Sequence, residues 1–83
     1  MKTLKRKEYT VLLELLYQIR VNSGLRQADL AIKLNCPQSY ISKVESGERR
    51  IDLIELMDIC HALDVDIKDF IAKLSNNIKF KAN

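Results

Sequence analysis

The stretch Gln27-Ala28-Asp29-Leu30-Ala31-Ile32-Lys33-Leu34-Asn35-Cys36-Pro37-Gln38-Ser39-Tyr40-Ile41-Ser42-Lys43-Val44-Glu45-Ser46-Gly47 decides the fold. Leu30, Ala31 and Leu34 recur at helical spacing and predict a short helix over about 27–34. Asn35-Cys36-Pro37 ends it, because proline disfavours the helical conformation in the residue before it. The same proline suits the first turn of a following helix. That next helix, about 38–45, has only two clear core positions, Ile41 and Val44, and Gly47 terminates it. Gln38, Ser39, Ser42 and Lys43 are left on its other faces, so most of its surface meets something wet or charged.

Outward from this pair the same period continues. Tyr9, Leu12, Leu13, Leu16 and Ile19 trace one face of a helix over about 5–22, stopped by Asn22-Ser23-Gly24 with a left-handed cap. Asp52 with Glu55 reads as a capping box and Ile51 with Leu56 as a hydrophobic staple, which start a helix over about 53–63. Asp66 with Asp69, and Val65 with Phe70, repeat the device for a helix over about 67–74. Leu53, Leu56, Cys60 and Leu63, then Ile67, Phe70, Ile71 and Leu74, supply the core stripes. No alternation of apolar and polar residues runs long enough for a strand. The expected fold is therefore all-α, five short helices in one domain over residues 1–74. Residues 75–83 read as a basic, frayed C-terminal tail, with a short strand or a partner contact through Ile78 and Phe80 as the alternative.

Composition narrows the function. The chain has 83 residues, 47% hydrophobic and 30% charged, with one proline and two glycines. A chain of this size buries only roughly 60% of the surface it exposes when unfolded, so a large enclosed substrate cavity would compete with the core. The net charge of +3 is unevenly spread. Residues 1–50 carry 10 Lys/Arg against 5 Asp/Glu, residues 51–74 carry 2 against 6, and residues 75–83 carry 2 against none. The basic half points to an anionic partner. Cys36 and Cys60 form no CxxC and read as two buried, reduced thiols. His61 beside Cys60 makes no ligand pair, since neighbouring helix residues point about 100° apart, and neither a metal nor a cofactor is expected. One histidine, no convergent carboxylate pair and no glycine-rich phosphate loop argue against an enzyme. With no apolar run of membrane-spanning length and no signal-peptide pattern, the chain reads as cytoplasmic and nucleoid-associated.

Two short helices joined by a three-residue turn, the second sparing most of its surface from the core, is the arrangement that sets a recognition helix in a DNA major groove. Gln38 offers a donor and an acceptor together, which match the N6/N7 edge of adenine, and Lys43 can donate to guanine O6/N7. Ser39 and Ser42 are small enough to approach base edges. Arg26 and Gln27 sit where a helix N-terminus directs N–H groups outward, a natural phosphate contact, and Arg49 and Arg50 follow closely enough to grip the flanking backbone.

From Gly24 to about Phe70 the sequence resembles the phage-repressor-like (Xre, Cro-like) helix-turn-helix regulators. The Gln27-x-x-Leu30-Ala31 opening, the run Ile41-Ser42-Lys43-Val44-Glu45-x-Gly47 and the Leu63-Asp64-Val65-Asp66 link occur in order and at the family spacing. The resemblance implies a lambda-repressor-like domain with its helix-turn-helix at about 27–46. It implies that Gln27 contacts phosphate and braces Gln38, that Gln38, Ser39, Ser42 and Lys43 face the groove, and that Glu45 is structural, paired with Arg20. The pairing has a physical reason: a carboxylate at the end of a DNA-facing helix repels phosphate unless it is neutralised. Two positions depart from the pattern. Arg26 stands where Ser or Thr commonly caps the helix and cannot accept its N–H bonds. Asp64 stands where glycine is common, at a turn that needs the left-handed conformation.

Tyr40 has two placements open, on the DNA backbone or sideways against the preceding helix. Lys2, Lys5, Arg6 and Lys7 are either a solvated helix start or an arm touching DNA. The reading is a sequence-specific transcriptional regulator, a repressor acting as a homodimer on double-stranded DNA, with dimer contacts from the last helix, the tail or exposed Ile54 and Ile78. One rival is an antitoxin or protein-interaction adaptor that uses the acidic helices over 53–74 to hold a toxin or another basic protein. A membrane-surface helix over residues 2–20 is weaker, because its apolar face is needed for the core.

Overall fold

The computed structural model describes residues 6–78. Lys2, Lys5 and Phe80, to which contacts were assigned from sequence, lie outside them. Five helices follow in order: α1 (Lys7–Asn22), α2 (Gln27–Leu34), α3 (Gln38–Ser46), α4 (Leu53–Ala62) and α5 (Ile67–Asn77). The described residues contain no strand. Packing joins α2 to α3 and α4, α1 to α3 and α5, and α4 to α5. One core results, from Leu16 of α1, Leu30 and Ala31 of α2, Ile41 and Val44 of α3, Leu56, Ile59 and Cys60 of α4, Leu63, and Phe70 of α5.

Three of the connections reverse the chain by the same local chemistry. At the end of α1, Gly24 adopts φ +77°, its N–H bonding to Val21 O at 2.9 Å and that of Leu25 to Arg20 O at 3.3 Å. After α2, Asn35 takes φ +56°, and after α4, Asp64 takes φ +60°. The Asp64 N–H bonds to His61 O at 3.1 Å and the Val65 N–H to Cys60 O at 2.8 Å. A left-handed residue with this crossed pair of bonds satisfies the last carbonyls of each helix. The asparagine and aspartate do what glycine does at less steric cost than other side chains would incur.

At the start of α4 the capping box is complete. Asp52 Oδ1 accepts from the Glu55 N–H at 2.7 Å, and Glu55 Oε1 accepts from the Asp52 N–H at 2.9 Å. At α5 the expected box does not form: Asp66 Oδ1 caps the helix by accepting from the Lys68 N–H at 2.7 Å, one residue before Asp69, and the described contacts include no bond between Asp66 and Asp69.

Four core expectations need correction. Leu53 is 59% exposed, because Ile51, just before the cap, turns inward and covers that edge of the core. Ile71 is 42% exposed, since α5 packs on its neighbours through the narrower stripe of Ile67, Phe70 and Leu74. Ile59, passed over from sequence, is fully enclosed. Cys36 is only half-buried, whereas Cys60 is enclosed; both are free thiols, and burial pushes the Cys60 thiol up to about 11. Helix α5 also continues through Ser75, Asn76 and Asn77, a turn past its expected end. Leu74 and Ile78, four residues apart, line one groove with Tyr9 and Leu12 of α1, and this shared face extends the packed helix.

Candidate nucleic-acid interface

A part-buried polar cluster lies where α1, α2 and α3 meet. Arg20, in the last turn of α1, is the one buried charged residue among those described, at 8% exposure. Its Nε donates to Glu45 Oε2 at 2.6 Å, its Nη2 to Glu45 Oε1 at 3.1 Å, and its Nη1 to the Leu25 carbonyl at 2.7 Å. Two parallel N–H bonds to one carboxylate fix orientation as well as charge. Glu45 Oε1 also accepts from Gln27 Nε2 at 2.9 Å. With its amide nitrogen thus committed, Gln27 turns its carbonyl oxygen outward, where Gln38 Nε2 reaches it at 3.4 Å. A relay therefore runs from the buried arginine through the glutamate and Gln27 to the first residue of α3.

The remaining surface of α3 is polar and open. Ile41 and Val44 hold the helix to the core, while Gln38, Ser39, Ser42 and Lys43 are exposed. Among the described residues Lys43 has no ion-pair partner. The three-residue link and the direct packing of α2 on α3 present this face as one rigid ridge.

The arginines at its two ends are not open in the same way. Arg26, the cap residue of α2, donates from Nε and Nη2 to Asp29 at 3.0 and 2.9 Å, and its backbone N–H bonds to the same carboxylate at 2.9 Å. An arginine has no acceptor, so this is the reciprocal half of a capping box without the usual hydroxyl. The hydrogen bonds from Arg26 hold the Asp29 carboxyl at about 2. Arg49 Nη2 meets Glu55 Oε2 at 2.6 Å and its Nη1 donates to the Arg50 carbonyl at 3.1 Å. Its backbone N–H bonds to Lys43 O at 3.0 Å, which ties the turn after α3 to the helix itself. The guanidinium of Arg50 lies over the Tyr9 ring at 4.2 Å, and the Tyr9 hydroxyl accepts from the Ile51 N–H at 3.3 Å.

Tyr40 takes the sideways placement of the two that sequence left open. Its ring is half-buried against the core, beside Leu34, Cys36 and Ile59, with the Arg49 guanidinium over it at 5.0 Å. Asp29 and Glu55, the partners of Arg26 and Arg49, were not placed at the site by the sequence reading. The three-residue spacing of Arg26 and Asp29 on one helix face could have revealed the first, whereas Arg49 and Glu55 meet across a turn and have no such signature.

Among the described residues no three His, Cys, Asp or Glu side chains gather closely enough to hold a metal ion, and no helix is long and apolar enough to cross a membrane. A braced helix pair with an open polar face on its second member defines a helix-turn-helix domain. The helix-turn-helix family model matches residues 16–70, and the chain belongs to the XRE-family helix-turn-helix regulators. An XRE-family like protein from Pseudomonas syringae pv. tomato str. DC3000 is 40% identical over 87% of this chain and 88% of that one, with a TM-score of 0.82. The restriction-modification controller protein C.Esp1396I, solved as a tetramer in complex with its natural 35 base-pair operator, is 28% identical over 87% and 95% of the two chains, with a TM-score of 0.79. The clp gene regulator ClgR from C. glutamicum, at 21% identity, a TM-score of 0.76 and coverage of 93% and 100%, shares the fold. No curated protein sequence matches significantly.

Proposed function

We propose that this protein is a sequence-specific transcription regulator that sets α3 in the major groove of double-stranded DNA. The observation that carries the reading is the exposed Gln38-Ser39-Ser42-Lys43 face, held in register by the Arg20–Glu45–Gln27 cluster. In this reading those four side chains meet base edges, while Gln27, Arg26, Arg49 and Arg50 hold the sugar–phosphate backbone. Its role is binding and repression in the cytoplasm rather than catalysis.

One such helix covers only a few base pairs, and a two-fold pair of copies multiplies specificity. The operator-bound tetramer of C.Esp1396I, a relative of the same fold, supports assembly on DNA. Selection of bound duplexes from a random pool, followed by titration of the enriched sequence against salt, tests the reading. The expected result is an enriched inverted repeat whose binding weakens steeply as salt rises. Enrichment of no sequence, or binding indifferent to salt, overturns it.

A further inference from the structure

The two arginines that flank the α3 face each hold a carboxylate of this same chain. Arg26 stands at the start of α2 and pairs with Asp29 at 2.9 Å; Arg49 stands in the turn after α3 and pairs with Glu55 at 2.6 Å. Both pairs lie at the surface, where a carboxylate oxygen and a phosphate oxygen compete for the same guanidinium donors. Lys43, between them, has no such partner among the described residues.

We propose that Asp29 and Glu55 are resident competitors of DNA phosphate, tuning residues that weaken the grip of Arg26 and Arg49 on any duplex and leave discrimination to the α3 face. This rests on the DNA-binding reading above. Both acids also cap backbone N–H groups, Asp29 that of Arg26 and Glu55 that of Asp52, so each is fixed beside its arginine by the helix start that it helps to build. The Asp29 carboxyl, held at about 2 by its hydrogen bonds to Arg26, keeps that competitor charged near neutral pH.

Binding to a short duplex of random sequence, followed by fluorescence anisotropy over a series of salt concentrations, tests this. Asp29→Asn and Glu55→Gln keep an acceptor for the capped N–H and remove the charge. Each is expected to tighten binding at low salt about two- to fivefold, the range that exposed ion pairs are worth. The slope of log K against log salt should steepen by about one. Asp69→Asn, which removes the same charge from α5, is expected to change little. In an Arg26→Ala background the gain from Asp29→Asn should vanish. A wild-type protein that ignores duplex at every salt concentration overturns the DNA-binding reading and this one with it. A wild type that binds while both variants leave affinity and slope unchanged overturns this one alone. So does an Asp69→Asn gain equal to theirs, or a gain that persists without Arg26.

Discussion

Arg20 and Glu45 show how much a single ion pair can decide when it is sheltered. Both side chains are about nine-tenths covered, at 9% and 11% exposure. Removing one charge strands the other in a poorly solvated site, which typically costs about 3 to 5 kcal/mol. Arg20→Ala should lose that much in urea denaturation, a large share of a small domain's stability, and it should blunt DNA binding by releasing Gln27 and Gln38. Asp29 makes a contrasting case at the surface. Its carboxyl sits at about 2 in the folded chain, below the ordinary range near 4. The folded state therefore favours the carboxylate, and the stabilisation is present above about pH 4 and fades as pH falls toward 2. Melting temperatures of wild type and Asp29→Asn should differ at neutral pH and converge at the acid end. At this scale the Arg20–Glu45 partnership was legible through resemblance and charge logic, but Gln27 as its third member was not, because a neutral amide gives no signal of its partner.

At the scale of elements, the helix boundaries followed from caps and breakers, and they are the most legible part of the chain. The starts of α2 and α3 and the stop at Asn35-Cys36-Pro37 fall where proline and the apolar period place them. Burial was harder to read. Leu53 and Ile71 satisfy the helical period and still face outward, because period fixes a face and only the neighbouring elements fix how wide a stripe is covered. The extra turn of α5 brings Ile78 to a groove shared with Tyr9 and Leu12, far away in sequence, a neighbourhood that could not be read locally. The turn after α4 gives a direct test. Asp64, at φ +60°, holds a conformation that costs an ordinary L-residue roughly 1 to 2 kcal/mol. Asp64→Ala should destabilise by about 1 kcal/mol in urea denaturation and Asp64→Gly should not.

At the scale of the whole molecule, the surface carries a polar face on α3 and apolar side chains on α4 and α5. In the proposed reading the α3 face and its flanking arginines meet DNA, while α4 and α5 display Leu53, Ile54, Met57 and Ile71 to solvent. If two copies meet through these helices on an inverted repeat, Ile54→Lys should shift sedimentation toward the single chain. Affinity for the full operator should then drop sharply while binding to one half-site holds. The net charge of +3 conceals this division, because the acidic residues of 51–74 offset the basic half. A kinetic consequence lies in three of the left-handed turns, those at Gly24, Asn35 and Asp64. Each closes its reversal through bonds spanning at most five residues, so little loop entropy stands between an unfolded chain and a native helix pair. A topology assembled from such near neighbours belongs with domains that fold in microseconds to milliseconds. A chain unfolded by chance would therefore be whole again soon after its helices form.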